Sequence, residues 1–356
     1  MTVNRFHNTW LSTILQLRPG ERITRARNMA WLVVGIFQSK SVHLSRIAGK
    51  IPGEATLTSL TRRLDRFLEN PAIRVRDWYD PVARWLLSRA CGLEIRLIVD
   101  GSKVGFGHQL LVVALAYRRR AIPLAWTWVK SKRGHSSTSK QLALLSHVRE
   151  LLSPEAKVLL VGDAEFGGVG VLRQLDEWHW GYVLRQKGSD LVKAEGARCW
   201  KSFDSLIQKA GQLIWKTGMQ LTRLHAYPAN LLAYWKEGEK EPWLLATNFT
   251  AHRGALRAYE RRMWIEEMFG DMKENGFDLE STRLREVEKL SRLTLAVVLV
   301  YVDLIALGAR VIKARLRRLV DRADRRDLSV FRIGLYSRER HLANSTPFEI
   351  SFRLCR

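Results

Sequence analysis

Two aspartates stand where strand-like apolar runs end. Asp100 follows the run at residues 97–99 and precedes Gly101, and Asp163 follows the run at residues 158–162. A carboxylate at the end of a buried strand is costly to hide and well placed to point into a cleft. On neighbouring strands the two would suit Mg²⁺, which prefers a few carboxylates, waters and phosphate oxygens. Taken singly, each aspartate is better explained as a helix N-cap or a turn residue.

A third carboxylate lies in a segment with helical spacing. Tyr259, Arg262, Glu266 and Lys273 are separated by three, four and seven residues. At about 100° per residue, their side chains fall within a stripe of about 60° on one helix face. Glu266 lies in this stripe and its neighbour Glu267 does not, so Glu266 is the better ligand candidate. The spacing fits an exposed helix with intrahelical ion pairs equally well.

The elements around these residues predict a mixed α/β sheet with helices on both faces. Three closely spaced apolar runs after residue 93 indicate strands, and helices and strands then alternate up to about residue 189. Residues 190–250 contain short strand-like runs with glycine turns, which indicate a β-rich insertion. Helices are predicted at residues 254–273 and 286–319. The predicted domains are 1–90 (helical), 91–189 (core, first part), 190–250 (insertion), 251–310 (core, closing helices) and 311–356 (basic helix and tail).

The N-terminal segment is helical and basic. Residues 1–90 carry 15 Lys and Arg against 6 Asp and Glu, and residues 41–68 predict a helix, a turn and a second helix. The second helix would present Arg62, Arg63 and Arg66 beside an apolar stripe that includes Leu57, as a helix that enters a DNA major groove does. A basic helix that is solvated and packed on its neighbours explains the pattern equally well.

The charge of the whole chain also favours a polyanionic partner. The formal net charge is +24 and the isoelectric point is about 10.5, which indicates nucleic acid first and an anionic membrane second. The most apolar run, residues 293–307, contains an aspartate and is short for a membrane span, so we expect a buried helix and no membrane partner. The three cysteines, Cys91, Cys199 and Cys355, form neither a disulfide framework nor a zinc pattern, which favours a cytoplasmic location.

The chain resembles a large group of bacterial insertion-sequence transposases of the DDE class. Their signature, Y-x2-R-x3-E-x6-K, is matched at all four positions of the stripe, by Tyr259, Arg262, Glu266 and Lys273. The surroundings of the two aspartates and the segments at residues 181–188 and 276–285 also resemble that group. The resemblance covers about residues 95–310.

The resemblance implies a ribonuclease-H-like fold in which Asp100, Asp163 and Glu266 hold two Mg²⁺ or Mn²⁺ ions. Such ions, about 3.5–4 Å apart, activate water or a 3′-hydroxyl and stabilise the leaving oxygen. The resemblance also implies that Tyr259, Arg262 and Lys273 bind phosphates beside the scissile bond. The 103-residue gap from Asp163 to Glu266 agrees with the β-strand insertion that this group carries.

Two further side chains are candidates for contacts with DNA. Arg185 is a candidate phosphate ligand, although it could simply pair with a carboxylate. Relatives that cut through a DNA hairpin stack a flipped base on a tryptophan, and Trp243 is the matching candidate, with Trp235 and Trp264 as alternatives. For any one of 13 tryptophans, a packing role in the core is the better explanation.

The resulting hypothesis is a transposase that binds the terminal inverted repeats of an insertion sequence, cleaves there and joins the ends to target DNA. Its expected partners are double-stranded DNA and a second copy of the chain, because two ends must be brought together. We expect a bacterial cytoplasmic protein that is associated with the nucleoid when bound. The alternatives are a catalytically inactive DNA-binding relative and a ribonuclease-H-like structural nuclease.

Overall fold

The computed structural model describes residues 3–88, 94–105, 107–130 and 136–355. Within these ranges the helices are α1 (Val3–Leu17), α2 (Ile23–Ser39), α3 (Leu44–Ala48), α4 (Leu57–Glu69), α5 (Val75–Ser88), α6 (Thr138–Leu151), α7 (Val169–Glu177), α8 (His252–Tyr259), α9 (Met263–Met272), α10 (Val287–Lys313) and α11 (Val330–Ala343). The strands are β1 (Ile95–Val104), β2 (His108–Tyr117), β3 (Arg120–Lys130), β4 (Val158–Gly162), β5 (Gly181–Arg185), β6 (Leu191–Ala194), β7 (Lys201–Ser202), β8 (Leu213–Leu221), β9 (Tyr227–Tyr234) and β10 (Trp243–Thr247).

All ten strands belong to one sheet, in the order β3-β2-β1-β4-β5-β10-β9-β8-β6-β7. Strands β1, β4 and β5 are parallel neighbours, and β2 and β10 run antiparallel beside them. The predicted mixed α/β sheet is confirmed. The strands of residues 191–247 pair with β5 through β10, so the segment predicted as an insertion extends the same sheet.

Helices cover the sheet on both sides. Every residue of β4 is buried, and so are the first eight of β2, which requires protein on both faces. Helix α8 contacts β4 and β5, whereas α9 contacts β1, β2 and β3. The two helices therefore pack on different parts of the sheet. The prediction of one continuous helix over residues 254–273 is wrong in one detail. A 3₁₀ turn at Glu260–Arg262 separates α8 from α9.

Helices α3 and α4 form the predicted helix–turn–helix. The hydroxyl of Thr56 caps α4 by accepting a hydrogen bond from the Ser59 amide at 3.2 Å. Leu60, Leu64, Phe67 and Leu68 are buried, and α4 packs on α2, α3 and α10. Leu57, expected in the apolar stripe, is 52% exposed because the first turn of α4 extends beyond these contacts.

Helix α10 is long and apolar enough to cross a membrane by length and composition, but 89% of its apolar window is buried within the protein. It packs most extensively against α11, where two glycines allow a very close approach. A Cβ atom at Gly308 would lie 2.0 Å from the carbonyl oxygen of Val330, and one at Gly334 would lie 1.9 Å from that of Leu304. The prediction of a buried helix in this segment is confirmed.

The C-terminal tail, residues 345–355, ties distant parts of the chain together. Phe348 packs edge-on against Phe6 of α1, with ring centroids 5.6 Å apart, and Phe352 packs on Trp10. The hydroxyl of Tyr117 donates to the carbonyl of Cys355 at 2.6 Å. Beneath the tail, Arg338 of α11 is fully buried and pairs with Asp303 of α10 at 2.8 Å. The thiols of Cys199 and Cys355 are free, and Cys91 lies outside the described residues.

Candidate active site

Adjacent parallel strands place Asp100 and Asp163 side by side. Val99 of β1 is in register with Gly162 of β4, and each aspartate is the next residue along its strand direction. Asp100 is buried, and its Oδ1 accepts the Gly101 amide at 2.7 Å. A Cβ atom at residue 101 would lie 2.4 Å from the side-chain amide nitrogen of Gln109, so a larger residue after the aspartate would displace that side chain.

The turn between α8 and α9 brings Arg262 and Glu266 to the same edge of the sheet. The Arg262 guanidinium lies 2.6 Å from Oδ2 of Asp100 and 3.4 Å from Oε1 of Glu266. Burial acts to lower the pKa of Arg262, but the carboxylates of Asp100, Asp163 and Glu266 raise it overall. The structure therefore brings the three predicted carboxylates and the predicted arginine together.

The environment of Asp100 disfavours the ionised form of its carboxyl group. Burial raises its pKa from 3.8 to about 7, and the charges of Glu266 and Asp163 add to this effect. The Arg262 guanidinium and the Gly101 amide oppose it without cancelling it. An added cation beside Asp100 would therefore favour the ionised form.

Oxygen atoms without hydrogen-bond partners near Asp100 also indicate that a cation would stabilise this site. Oδ1 of Asp163 and the hydroxyl of Tyr259 are buried without a hydrogen-bond partner among the described residues. Across those residues, no three His, Cys, Asp or Glu side chains form a ready-made metal cluster, and the guanidinium of Arg262 lies between Asp100 and Glu266. The oxygen donors still fit a divalent cation, which binds carboxylates, waters and phosphates.

Tyr259 lies close enough to the carboxylates of Asp100 and Asp163 to feel their charges. Burial raises its pKa to about 12, and the charges that act on it include those of Arg262, Asp163, Arg185 and Asp100. Its ring packs edge-on against Trp243, with centroids 5.1 Å apart. The tyrosine therefore connects the carboxylate cluster to β10.

Lys273 lies immediately after α9, not on the helix as expected from the sequence, and has different partners. Its Nζ donates to the carbonyl of Lys103 at 2.9 Å and pairs with Glu280 at 3.4 Å. It thereby joins the end of α9 to the β1–β2 hairpin, and its described hydrogen-bond and ion-pair partners do not include Asp100, Asp163 or Glu266. Arg185, at the end of β5, pairs with the exposed Glu241 at 3.3 Å, which is the alternative that the sequence left open.

The candidate tryptophans differ in their surroundings. Trp243 is half-buried and packs against both Tyr234 and Tyr259, which are contacts of a packing residue. The indole of Trp235 donates to the carbonyl of Glu239 at 3.0 Å, in the turn that precedes β10. Trp264 is half-buried on α9.

The arginines of α4 lie in the N-terminal helices, apart from the carboxylate cluster. Arg62 and Arg66 are exposed, whereas Arg63 is partly buried. The geometry of α4 leaves the first two accessible to a partner.

Glu165, which the sequence did not single out, lies in the turn after Asp163. Its carboxylate accepts hydrogen bonds from the Gln109 side chain at 2.8 Å and from the amide and hydroxyl of Ser136 at 2.6 Å. These bonds connect the turn after Asp163 to β2 and to the segment just before α6. Its position two residues after Asp163 was the only local signal.

Comparison with known proteins identifies the family. A model of the transposase DDE domain matches residues 99–302, which is more than half of the chain and includes all three carboxylates. The chain belongs to this family. The long apolar helix α10 closes the transposase DDE domain, whose matched segment ends within that helix.

The structural comparison includes a piggyBac transposase synaptic complex with hairpin DNA, determined by cryo-EM. The two chains are 10% identical, with a TM-score of 0.47, over 96% of this chain and 82% of that one. No curated protein sequence matches the chain.

Proposed function

We propose that this DDE transposase cleaves DNA at the terminal inverted repeats of an insertion sequence and transfers the strands to target DNA. The observation that supports this best is the convergence of Asp100, Asp163, Arg262 and Glu266 at one sheet edge. The fold of the core would be that of ribonuclease H, and the sequence signature would mark the insertion-sequence group.

Asp100, Asp163 and Glu266 would hold two Mg²⁺ or Mn²⁺ ions. When bound, such ions generate a nucleophile and stabilise the leaving oxygen of a phosphodiester. Glu266 is half exposed, so it can adjust to a ligand, whereas Asp100 is fixed by the Gly101 amide and by Arg262. Glu165 would keep Asp163 in position through its bonds to β2 and to the segment just before α6.

Arg262, Tyr259 and Lys273 would bind the phosphates beside the scissile bond. The guanidinium of Arg262 can leave Asp100 for a phosphate, because both partners accept its paired N–H groups. Arg185 would reach the same DNA strand after giving up its exposed partner Glu241, an ion pair of the kind that contributes little. Trp243 would act by supporting Tyr259, and base stacking would require it to leave Tyr234.

Recognition of the ends would come from the N-terminal helices. Arg62, Arg63 and Arg66 of α4 would face the DNA, with Arg62 and Arg66 exposed. Two copies of the chain would hold two ends in the active complex.

The decisive experiment compares two adjacent glutamates on α9. Glu266→Gln should abolish Mg²⁺-dependent nicking of a duplex that carries the inverted repeat flanking the coding sequence, and should leave binding intact. Glu267→Gln is the matched control, because Glu267 pairs with Arg120 at 3.0 Å and not with the carboxylate cluster. If the wild type binds the ends but never nicks them, the chain is an inactive DNA-binding relative.

Two further measurements address the DNA partner. The affinity should fall steeply with salt, with a log–log slope of about −0.9 for each phosphate contacted. Footprints on the inverted repeat and on random DNA should differ, since a structural nuclease would protect both alike. A flat salt dependence would contradict a phosphate-dominated interface.

A further inference from the structure

A cavity lies between helices α3 and α4 and the segment at residues 282–284. It has a volume of about 300 Å³ and lies between the start of α3, one side of α4 and the segment at residues 282–284. His43 and Arg46 line it from α3, Thr61 lines it from α4, and Arg283 lines it from the opposite wall. A cavity of this size accommodates a phosphate group.

Positive charge converges on this cavity from two parts of the chain. Arg46 and Arg283 are both exposed, and within the described ranges neither forms an ion pair with a carboxylate. Burial lowers the pKa of His43, and the nearby guanidinium groups of Arg46 and Arg283 lower it further, against one opposing carboxylate, Asp278. Both guanidinium groups act on the imidazole of His43, so an anion held in this cavity would be attracted by both.

One wall of the cavity lies against the β1–β2 hairpin, whose first strand carries Asp100. The carbonyl of Thr282 lies 3.5 Å from the point where a side chain at Gly105 would begin, so the cavity wall touches the β1–β2 hairpin. Lys273 joins the same hairpin to Glu280, two residues before Thr282. The segment that carries Arg283 therefore contacts the same hairpin to which Lys273 is bonded.

We propose that Arg46 and Arg283 clamp one backbone phosphate of the DNA end, between the bases contacted by α4 and the phosphate that is cut. This proposal rests on the proposed function and adds to it a site outside the signature residues. Phosphate contacts fix the register of a protein on a duplex without reading its sequence. A clamp formed jointly by α3 and the catalytic domain would set the distance from the recognised bases to the cleavage position.

Ethylation interference tests the clamp on the full chain with an inverted-repeat duplex. In the wild type, ethylation of one phosphate between the α4 footprint and the cleavage site should weaken binding. In the Arg46→Ala/Arg283→Ala double variant, that position alone should lose its effect. The affinity should drop about tenfold at low salt, and the log–log salt slope should flatten by about 0.9.

The control is Arg198→Ala, which removes an exposed arginine from the connection between the outermost strands β6 and β7. It should keep the wild-type interference pattern and cleavage position. Cleavage by the double variant should spread over neighbouring phosphates, which loss of charge alone would not cause. Unchanged interference and an unchanged slope in the double variant would overturn the clamp.

The outcomes for the two proposals are separable. If the wild type binds the ends but does not cut them, the catalytic proposal fails and the interference pattern still decides on the clamp. If the wild type cuts the ends while the double variant behaves identically, only the clamp fails. A wild type that does not bind duplex DNA would overturn both.

Discussion

The raised pKa of Asp100 means that ionising this carboxyl lowers the free energy of unfolding. A pKa of about 7, instead of 3.8, corresponds to about 4 kcal/mol of unfavourable free energy for the ionised carboxylate. Because the pKa is higher in the folded than in the unfolded protein, the folded protein binds more protons between about pH 4 and pH 7. Its stability therefore falls as the pH rises through that range.

Asp100→Asn removes this titration while preserving the shape of the side chain. At pH 8 without divalent ions, we expect the variant to be more stable than the wild type by up to about 4 kcal/mol, or roughly 5–10 °C in melting temperature. Near pH 4 the difference should vanish. Thermal unfolding followed by circular dichroism at both pH values measures it.

Two comparisons make this test specific. Glu266→Gln changes a side chain that is 49% exposed, so its stability should stay within about 0.5 kcal/mol of the wild type. Adding Mg²⁺ at pH 8 should raise the melting temperature of the wild type but not of Asp100→Asn. If the gap between Asp100→Asn and the wild type is the same at both pH values, burial of a charge at Asp100 is not its cause.

Three further predictions concern other parts of the molecule. Arg262→Ala should reduce end cleavage at least a hundredfold with a smaller loss of DNA affinity, and the neighbouring Arg261→Ala should affect affinity alone; equal losses of both by Arg262→Ala would contradict its place at the scissile phosphate. Gly334→Ala should destabilise the protein by about 3 kcal/mol, since its Cβ would lie 1.9 Å from a carbonyl oxygen of α10, and a melting curve like that of the wild type would disprove this contact. Arg338→Ala should cost about 3–5 kcal/mol in urea unfolding because it leaves Asp303 buried without its cation, whereas a joint replacement of both by apolar residues should recover most of the loss.

The positions of the two aspartates could be predicted because they depend on local patterns. Apolar runs of strand length precede Asp100 and Asp163, and the pairing of parallel strands then places the two side chains together. The helical spacing places Glu266 and Glu267 on different sides, and the two have different partners, Arg262 for Glu266 and Arg120 for Glu267. These inferences needed only periodicity and strand direction.

The remaining geometry depends on contacts between residues far apart in the sequence. No proline or glycine marks the 3₁₀ turn at Glu260–Arg262, and the turn occurs where Arg262 reaches Asp100, 162 residues away. Glu165 likewise binds Ser136 and Gln109, which lie 29 and 56 residues from it. No local pattern specifies such partners.

The packing of the tail on α1 affects the order in which the protein matures during synthesis. Phe6 and Trp10 emerge from the ribosome before Phe348 and Phe352, which cover them and are translated about 340 residues later. Helix α1 therefore reaches its final packing only after residues 99–302, the segment matched by the transposase DDE domain, have been made. Chains that stop short of residue 348 lack this packing, and we expect them to compete poorly with finished copies for DNA ends.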